Sequence, residues 1–405
     1  MSAMSEFRDD LIVVLDIGSA WTRVLAAELN EGAPRYCGHG IVESAGMRKG
    51  LIADLGPAAK AVETAVNQAE FTARSNIGEC VVGVGGPHIR GLNSNGGIEL
   101  GGRMREIDAE DVRNAVKHAR SIERPADRRI LHLLRRQFIL DDQPGIFDPV
   151  GMVGKKLEVE LHIATCSGSA LQSTVTCANR AGLEVIDAVL ESVAAAESTL
   201  SADERDLGIC LLDIGCHSTD MVVFYEGAVV HTASIPVGGQ HFTNDLAIGL
   251  EMPVAQAEEL KRLYGNAVVT DVPIDAEIEI ANPQPQMLSL RRMAEILQPR
   301  ADELLQLVKK NLRDAGVLEA LCAGCVLTGG GAMLRGMLDI TESQLRVPAR
   351  TGVPVRLSHM PGELVHPSFS AAIGMILYTQ RTRMSGATQG GTWRSRFGEM
   401  FGGSF

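Results

Sequence analysis

One strand-and-turn pattern occurs twice in this chain, half a chain apart. Leu11-Ile-Val-Val-Leu-Asp-Ile-Gly-Ser19 is an apolar strand ending in an acidic, glycine-containing turn, and Trp21 to Leu29 returns as a second strand. Ile209-Cys-Leu-Leu-Asp-Ile-Gly215 repeats the design, followed by Ser218-Thr-Asp220 and the strand Met221 to Tyr225. Two hairpins of one grammar, one in each half, predict a duplicated fold. Helical stretches such as Pro57 to Phe71 and Ala170 to Ala181 alternate with the strands, so each half reads as α/β. At 405 residues the chain exceeds one compact core and divides into subdomains.

Two segments interrupt the repeat. From about Gly86 to Ile163 there is a glycine-rich turn (Asn95-Gly-Gly97), an acid-started helix (Asp108 to Ser121) and two strand-like runs, Arg129 to Leu140 and Lys156 to Ala164. This is the pattern of a small inserted α+β subdomain. A second insertion, about Ile248 to Gly324, is expected to be mostly helical. It holds Glu258-Glu-Leu-Lys-Arg262, a proline-containing loop at Asn282 to Pro285, and an amphipathic stretch from Leu288 to Leu312. There Ile296, Leu304, Leu307 and Val308 recur at helical spacing and predict one buried face. Ser385 to Thr392 reads as a flexible Gly/Thr/Ser linker.

Composition narrows the function. A formal charge of -12 argues against nucleic acid, which requires a basic face. The one basic cluster, Arg124, Arg128, Arg129, Arg135 and Arg136, is expected to be solvated or to face protein. Met1 to Asp10 lacks the apolar core of a secretion signal, and no apolar run approaches the ~18 residues of a spanning helix. The eight scattered cysteines are then expected to be reduced thiols in a cytoplasm. Cys322 and Cys325 form a lone CxxC without two further zinc ligands at suitable spacing, and are expected to be buried packing residues.

A nucleoside triphosphate between two lobes needs close backbone approach, hydroxyls and carboxylates. Gly18 and Gly215 remove the Cβ that would block phosphates, while Ser19 and Ser218 or Thr219 offer hydroxyls. Asp16 and Asp213 sit at strand ends, placed to order Mg²⁺ through its waters. A third loop, Val326-Leu-Thr-Gly-Gly-Gly-Ala-Met-Leu334, runs an apolar strand into Gly329, Gly330 and Gly331, with Met333 beyond. A backbone this bare can lie against a purine or ribose. Val81-Val-Gly-Val-Gly-Gly86 imitates a dinucleotide fingerprint, but it lacks the third glycine at the right spacing and Pro87 follows; no NAD site is expected.

Together the three loops resemble the phosphate and adenosine motifs of the actin, sugar-kinase and DnaK-type chaperone superfamily. The resemblance implies a two-lobed, actin-like (ribonuclease H-like) duplicated fold that binds ATP and Mg²⁺. It places Glu258, Lys261 and Arg262 on the helix that brackets ribose and base. Within the superfamily, Gly85-Gly-Pro-His-Ile89, Asn93-Ser-Asn-Gly96, Arg129-Ile-Leu-His132 and Asp148-Pro-Val-Gly151 are similar to the inserted subdomain IC of bacterial FtsA. The similarity continues through Leu161 to Cys166, Leu200 to Gly208, Ile235 to Gly238 and Gln298-Pro-Arg300, and spans Leu11 to about Tyr378.

That resemblance divides the chain into a first-lobe core, 11–85 with 165–205 and 367–383, and subdomain IC, 86–164. A second-lobe core follows, 206–247 with 325–366, then helical subdomain IIB, 248–324, and a linker with membrane-targeting tail, 384–405. It implies a peripheral protein of the cytoplasmic membrane face at the division septum. Such a protein self-associates into filaments, tethers the tubulin-like FtsZ and contacts other division proteins through subdomain IC. Its ATPase is expected to be slow or absent. The alternatives are a phosphotransferase of the sugar-kinase branch and a pilus-assembly homologue such as PilM. Family members usually carry Gly-Gly after the second Asp-x-Gly, where this chain has Cys216 and His217, and a basic residue after the first loop, where Arg23 stands.

Several residues keep two readings. Glu191 is either a water-orienting catalytic acid or a helix-start carboxylate on a favourable dipole. His217 either meets a phosphate when protonated or has no role in its loop. Arg300, beside Glu303, either grips the acidic FtsZ C-terminal peptide or pairs with a neighbouring helix. In the tail, Trp393, Phe397, Met400 and Phe401 share one helical face flanked by Arg394 and Arg396. That segment suits the anionic inner membrane surface, or else docks its aromatics on protein.

Overall fold

The computed structural model describes residues 10–30, 32–102, 104–121, 125–281 and 285–388. The tail residues Trp393, Arg394, Arg396, Phe397, Met400 and Phe401, and Arg124 of the basic cluster, lie outside the described residues.

Two five-stranded sheets repeat one topology. In the first, Leu11–Ile17 is central and Trp21–Asn30 and Ala33–Glu43 continue antiparallel on one side. Glu79–Val84 and Glu184–Leu190 continue parallel on the other. In the second, Ile209–Ile214 is central, with Thr219–Tyr225 and Ala228–Ile235 antiparallel and Gly324–Thr328 and Ala349–Thr351 parallel. The parallel pairs need helical crossovers, and these cover the sheet faces. Val13 and Leu15 pack on the helix Leu55–Ala73 side, whereas Ile12 and Val14 pack against Ile373 and Ile376 of the C-terminal helix, Ser370–Thr388. The period of two thus divides one strand between two helical layers. Leu211, Val222 and Val326 of the second sheet join the first lobe's core, which ties the lobes together.

The first insertion is a four-stranded antiparallel sheet of Arg90–Glu99, Lys156–Ser167, Arg128–Leu140 and Gln143–Ile146 under the helix Ala109–Arg120. Asp108 caps that helix through the N–H groups of Glu110 and Asp111. Gly96 and Gly97 are not a turn, contrary to expectation: they lie within Arg90–Glu99. A Cβ on Gly96 would overlap the backbone of Ala119, so the glycine lets the helix sit on the strand.

The second insertion is helical with one addition, a hairpin of Glu277–Ala281 and Pro285–Ser289; residues 282–284 of the expected proline loop lie outside the described residues. Its main helix, Leu290–Asp314, buries Met293, Leu297, Ala301, Leu304, Leu305, Val308 and Leu312, while Leu307 is 38% exposed. Leu307 thus faces away from the core, and the buried stripe runs through Leu304, Leu305 and Val308. Residues 385–388, expected as linker, continue the C-terminal helix. Cys325 is buried beside Cys210 on the adjoining parallel strand, but Cys322 is exposed. No helix among the described residues is long and apolar enough to cross a membrane.

Candidate functional site

Both acidic turns open on one cleft of about 890 Å³ between the lobes. Asp16, Gly18 and Ser19 line it from the first hairpin, and Asp213, Gly215 and Ser218 from the second. Gly329, Gly330, Gly331 and Met333 close one wall, and Glu258, Lys261 and Arg262 face in from the helix Val254–Tyr264. Thr219 departs from expectation. It is fully buried, and its hydroxyl donates to the Val237 carbonyl at 2.8 Å, because its strand position turns the side chain into the core.

The glycines answer two demands. At Gly18 a Cβ would stand 2.8 Å from the Trp21 carbonyl, so the turn itself excludes a side chain. Gly329 has φ +81° and its Cβ would overlap the Asp213 carboxylate. At Gly330 a Cβ would meet nothing within 4 Å. The protein therefore does not need that glycine for its own packing, and the bare backbone is presented to the cleft.

Four carboxylates, Asp16, Asp213, Asp220 and Glu191, line this cleft, and one of them, Asp16, is paired with a guanidinium. Arg23 lies opposite Asp16 in the first hairpin and donates from Nη1 to Asp16 Oδ2 at 3.0 Å. It also lies over the Phe369 ring at 5.2 Å. Burial nevertheless outweighs Arg23 and raises the Asp16 pKa. Asp213 is pushed up to about 7 by burial, then by Asp220 and Asp16. Burial also raises Asp220. Glu191, first residue of the helix Glu191–Thr199, is held well above the usual carboxylate range by burial, then by Asp16, Asp220 and Asp213. It is thus both a helix-start carboxylate and a cleft residue. The cluster is short of positive charge, which an entering cation would supply. Among the described residues, no three His, Cys, Asp or Glu side chains are grouped so as to hold a metal ion by themselves.

The adjoining wall is fixed by Lys261, whose Nζ donates to the Gly239 carbonyl at 2.9 Å, to Thr243 Oγ1 at 2.8 Å and to Glu258 Oε2 at 2.6 Å. In the second turn, Cys216 Sγ faces Gln240 Oε1 at 4.0 Å. His217 keeps a buried, unpartnered Nδ1, and burial followed by His241 holds its pKa below the ordinary value. Of the two readings of His217, the one in which a protonated imidazole meets a phosphate is therefore disfavoured.

Arg300 takes the second of its two readings. Its Nε and Nη2 donate to Asp245 at 2.7 and 3.0 Å across to the helix Gly239–Gly249, and Nη1 pairs with Glu303. The guanidinium thus ties the helical insertion, where it meets Glu303, to Asp245 of the second-lobe core. Within the basic cluster, Arg136 pairs with Glu160 at 3.3 Å and Arg128 donates to Thr165 and to the His88 carbonyl.

Two parts of the site escaped the sequence reading. Gly83, Gly85 and Gly86, dismissed with the dinucleotide decoy, line the cleft. A Cβ on Gly85 would overlap Glu191 and stand 3.0 Å from Asp220 Oδ2, so these glycines make room for the carboxylates. Asp220 also lines the cleft and accepts from the Gly86 N–H, with its two oxygens at 3.2 and 3.1 Å. Aligning the hairpins would have found it, because Asp220 follows Asp213 by the interval that separates Arg23 from Asp16.

Comparison with known proteins places this architecture. The family model "Cell division protein FtsA" matches residues 210–374, and "SHS2 domain inserted in FTSA" matches residues 86–165. The chain is 36% identical over 392 residues to cell division protein FtsA of Pseudomonas aeruginosa, covering 95% of this chain and 94% of that one. With the Escherichia coli K12 protein it shares 32% over 390 residues, and with the Bacillus subtilis protein 33% over 380, covering 92% and 84% of those chains. Among solved structures, a PilM–PilN type IV pilus biogenesis complex superposes with TM-score 0.64 at 18% identity, covering 91% of this chain and 98% of that one. MreB5 of Spiroplasma citri bound to AMPPNP gives 0.56 at 15%, covering 95% and 100%. These likenesses show the fold, which is actin-like. With about a third of its residues shared along nearly the whole of those relatives, and with their inserted domain at residues 86–165, this chain belongs to the FtsA family of cell division proteins.

Proposed function

We propose that this cell division protein binds ATP with Mg²⁺ in the inter-lobe cleft and uses it as an assembly switch rather than as fuel. The observation that carries this reading is Gly330, a bare position that internal packing does not require, facing two acidic turns across one cleft. Magnesium keeps most of its water and takes few carboxylates, so Asp16 and Asp213 would hold it through water, with phosphate oxygens completing the shell. Its charge would relieve the crowding among Asp16, Asp213, Asp220 and Glu191. Ser19, Ser218 and the glycine turns would bind phosphates, and Gly329 to Gly331, Met333, Glu258, Lys261 and Arg262 the nucleoside.

Membership of the FtsA family supports a finer role. Nucleotide-bound subunits associate head to tail, the helical subdomain holds the FtsZ C-terminal peptide, and the 392–405 tail holds the cytoplasmic membrane surface at the septum. A single tail binds weakly, since Gly398 costs ~1 kcal/mol of helix propensity and Glu399 opposes an anionic surface. Assembly multiplies that weak hold, because linked sites raise avidity by ~10²–10⁴.

Calorimetric titration of wild type and Gly330→Val with Mg-ATP tests the reading. The substitution should weaken binding about tenfold or more, roughly 1.4 kcal/mol, with an unchanged melting temperature. Equal affinities would remove the triple-glycine loop from the nucleotide site.

A further inference from the structure

The first insertion leaves the first lobe at Gly85 and returns at Ser167, so by connectivity it belongs to that lobe. Its packing says something more. His162, 1% exposed, hydrogen-bonds Thr232 Oγ1 of the second lobe through Nε2 at 2.9 Å, and Asn93 Oδ1 through Nδ1 at 2.7 Å. Asn93 Nδ2 in turn donates to the Val230 carbonyl at 3.2 Å. Gly91 lacks a Cβ where one would stand 2.6 Å from the Thr232 carbonyl. On the opposite flank, buried His132 accepts from the Leu190 N–H at Nε2 (2.9 Å), and its Nδ1 lies 3.2 Å from the Tyr378 hydroxyl. Leu190 immediately precedes Glu191 in the cleft. Burial keeps both imidazoles neutral, so each contact is a hydrogen bond between uncharged groups.

We infer that the inserted subdomain is a strut pinned to both lobes, and that the His162–Thr232 contact makes it follow the second lobe whenever the cleft changes its opening. The insertion can pivot where Gly85, Gly86 and Gly168 flank its two connections, Gly86 with φ +96°. Asp220, on the strand next to Ala228–Ile235, holds the Gly86 N–H at the entry connection, so the cleft carboxylates and the pivot are in direct contact. Nucleotide state is thereby carried to the helix Ala109–Arg120, none of whose residues lines the cleft. This rests on the nucleotide reading above.

Hydrogen exchange of the full chain with and without Mg-ATP tests it, with calorimetry on the same samples. Thr232→Val keeps the shape and removes the hydroxyl. Mg-ATP should change exchange in 109–120 of the wild type, and Thr232→Val should reduce that change by about fivefold or more with affinity within about twofold. Asn93→Ala, at an exposed position, should act in the same direction if Thr232→Val folds poorly. An equal response in both variants, or none in a wild type that binds ATP, overturns the strut. A wild type that binds no ATP overturns the nucleotide reading and the strut with it.

Discussion

Asp213 and Asp220 stand directly opposite each other across the second hairpin, whereas at the matching positions of the first hairpin Asp16 faces Arg23. The duplicated design therefore carries a charge asymmetry: the first turn pairs its acid with an arginine, and the second sets buried Asp220 against half-buried Asp213. Like charges in directly opposed positions destabilise a sheet by ~1 kcal/mol. Asp220→Asn keeps an acceptor for the Gly86 N–H and removes the repulsion. In nucleotide-free protein above pH 7, it should raise the melting temperature by about 2–4 °C. A lower value in thermal melts would show that the Gly86 contact needs a full carboxylate.

The Gly85–Glu191 relationship makes a second prediction. A methyl group at position 85 has to displace the Glu191 carboxylate, and overpacking of this kind costs ~1–3 kcal/mol. Gly85→Ala should therefore destabilise the protein, and Glu191→Ala in the same chain should recover most of the loss. A double-mutant cycle by chemical denaturation measures the coupling. Additive effects would mean that the glycine serves the backbone alone.

The same pairs explain what the sequence disclosed. The two hairpins and the triple glycine were legible because each places its informative residues within a few positions, where apolar strand, acid and glycine read as one motif. Asp220 was not, since an acid two residues after Ser218 reads as ordinary turn chemistry until the strand register sets it against Asp213. Gly96 and Gly97 imitated a turn because the helix that demands the bare strand arrives from residues 109–120, beyond any local window. Thr219 and Leu307 failed in the same way. Their residue types fit both the cleft or core and the alternative, and tertiary packing decided.

Arg300 offers a test that separates packing from recognition. Its bidentate contact joins the helices Gly239–Gly249 and Leu290–Asp314, and with both partners about a quarter exposed it should contribute ~1 kcal/mol. Arg300→Ala and Asp245→Asn should lower stability by similar amounts and show strong non-additivity when combined. If Arg300 only staples these helices, both variants will weaken FtsZ-peptide binding equally in fluorescence titrations. A much larger loss for Arg300→Ala alone would return the residue to the peptide site.

The tail prediction is independent of the cleft. Removing residues 392–405 deletes Trp393, Phe397, Met400 and Phe401 together with Arg394 and Arg396. Co-sedimentation with anionic vesicles should be abolished, while Mg-ATP affinity stays unchanged. Vesicle binding retained by the truncated chain would assign membrane attachment to another surface.

The buried histidines give the protein a defined acid sensitivity. Burial, followed by Arg381, lowers the His132 pKa from 6.5 to about 4. The unfolded chain therefore binds an extra proton between these values, so the stability contribution is complete above pH 6.5 and is lost as pH falls toward 4. At 1.36 kcal/mol per unit the full span of about 2.5 units is worth ~3 kcal/mol, and roughly 2 kcal/mol has gone by pH 5. The raised carboxylates Asp213 and Glu191 act in the opposite sense, adding stability as pH falls, so total stability alone would blur the effect. The difference between variants isolates it. His132→Gln keeps an acceptor for the Leu190 N–H but cannot titrate, and urea unfolding at pH 7.5 and 5.0 should show it losing about 2 kcal/mol less than wild type over that interval. Equal losses would mean that His132 becomes protonated without leaving its place between Leu190 and Tyr378.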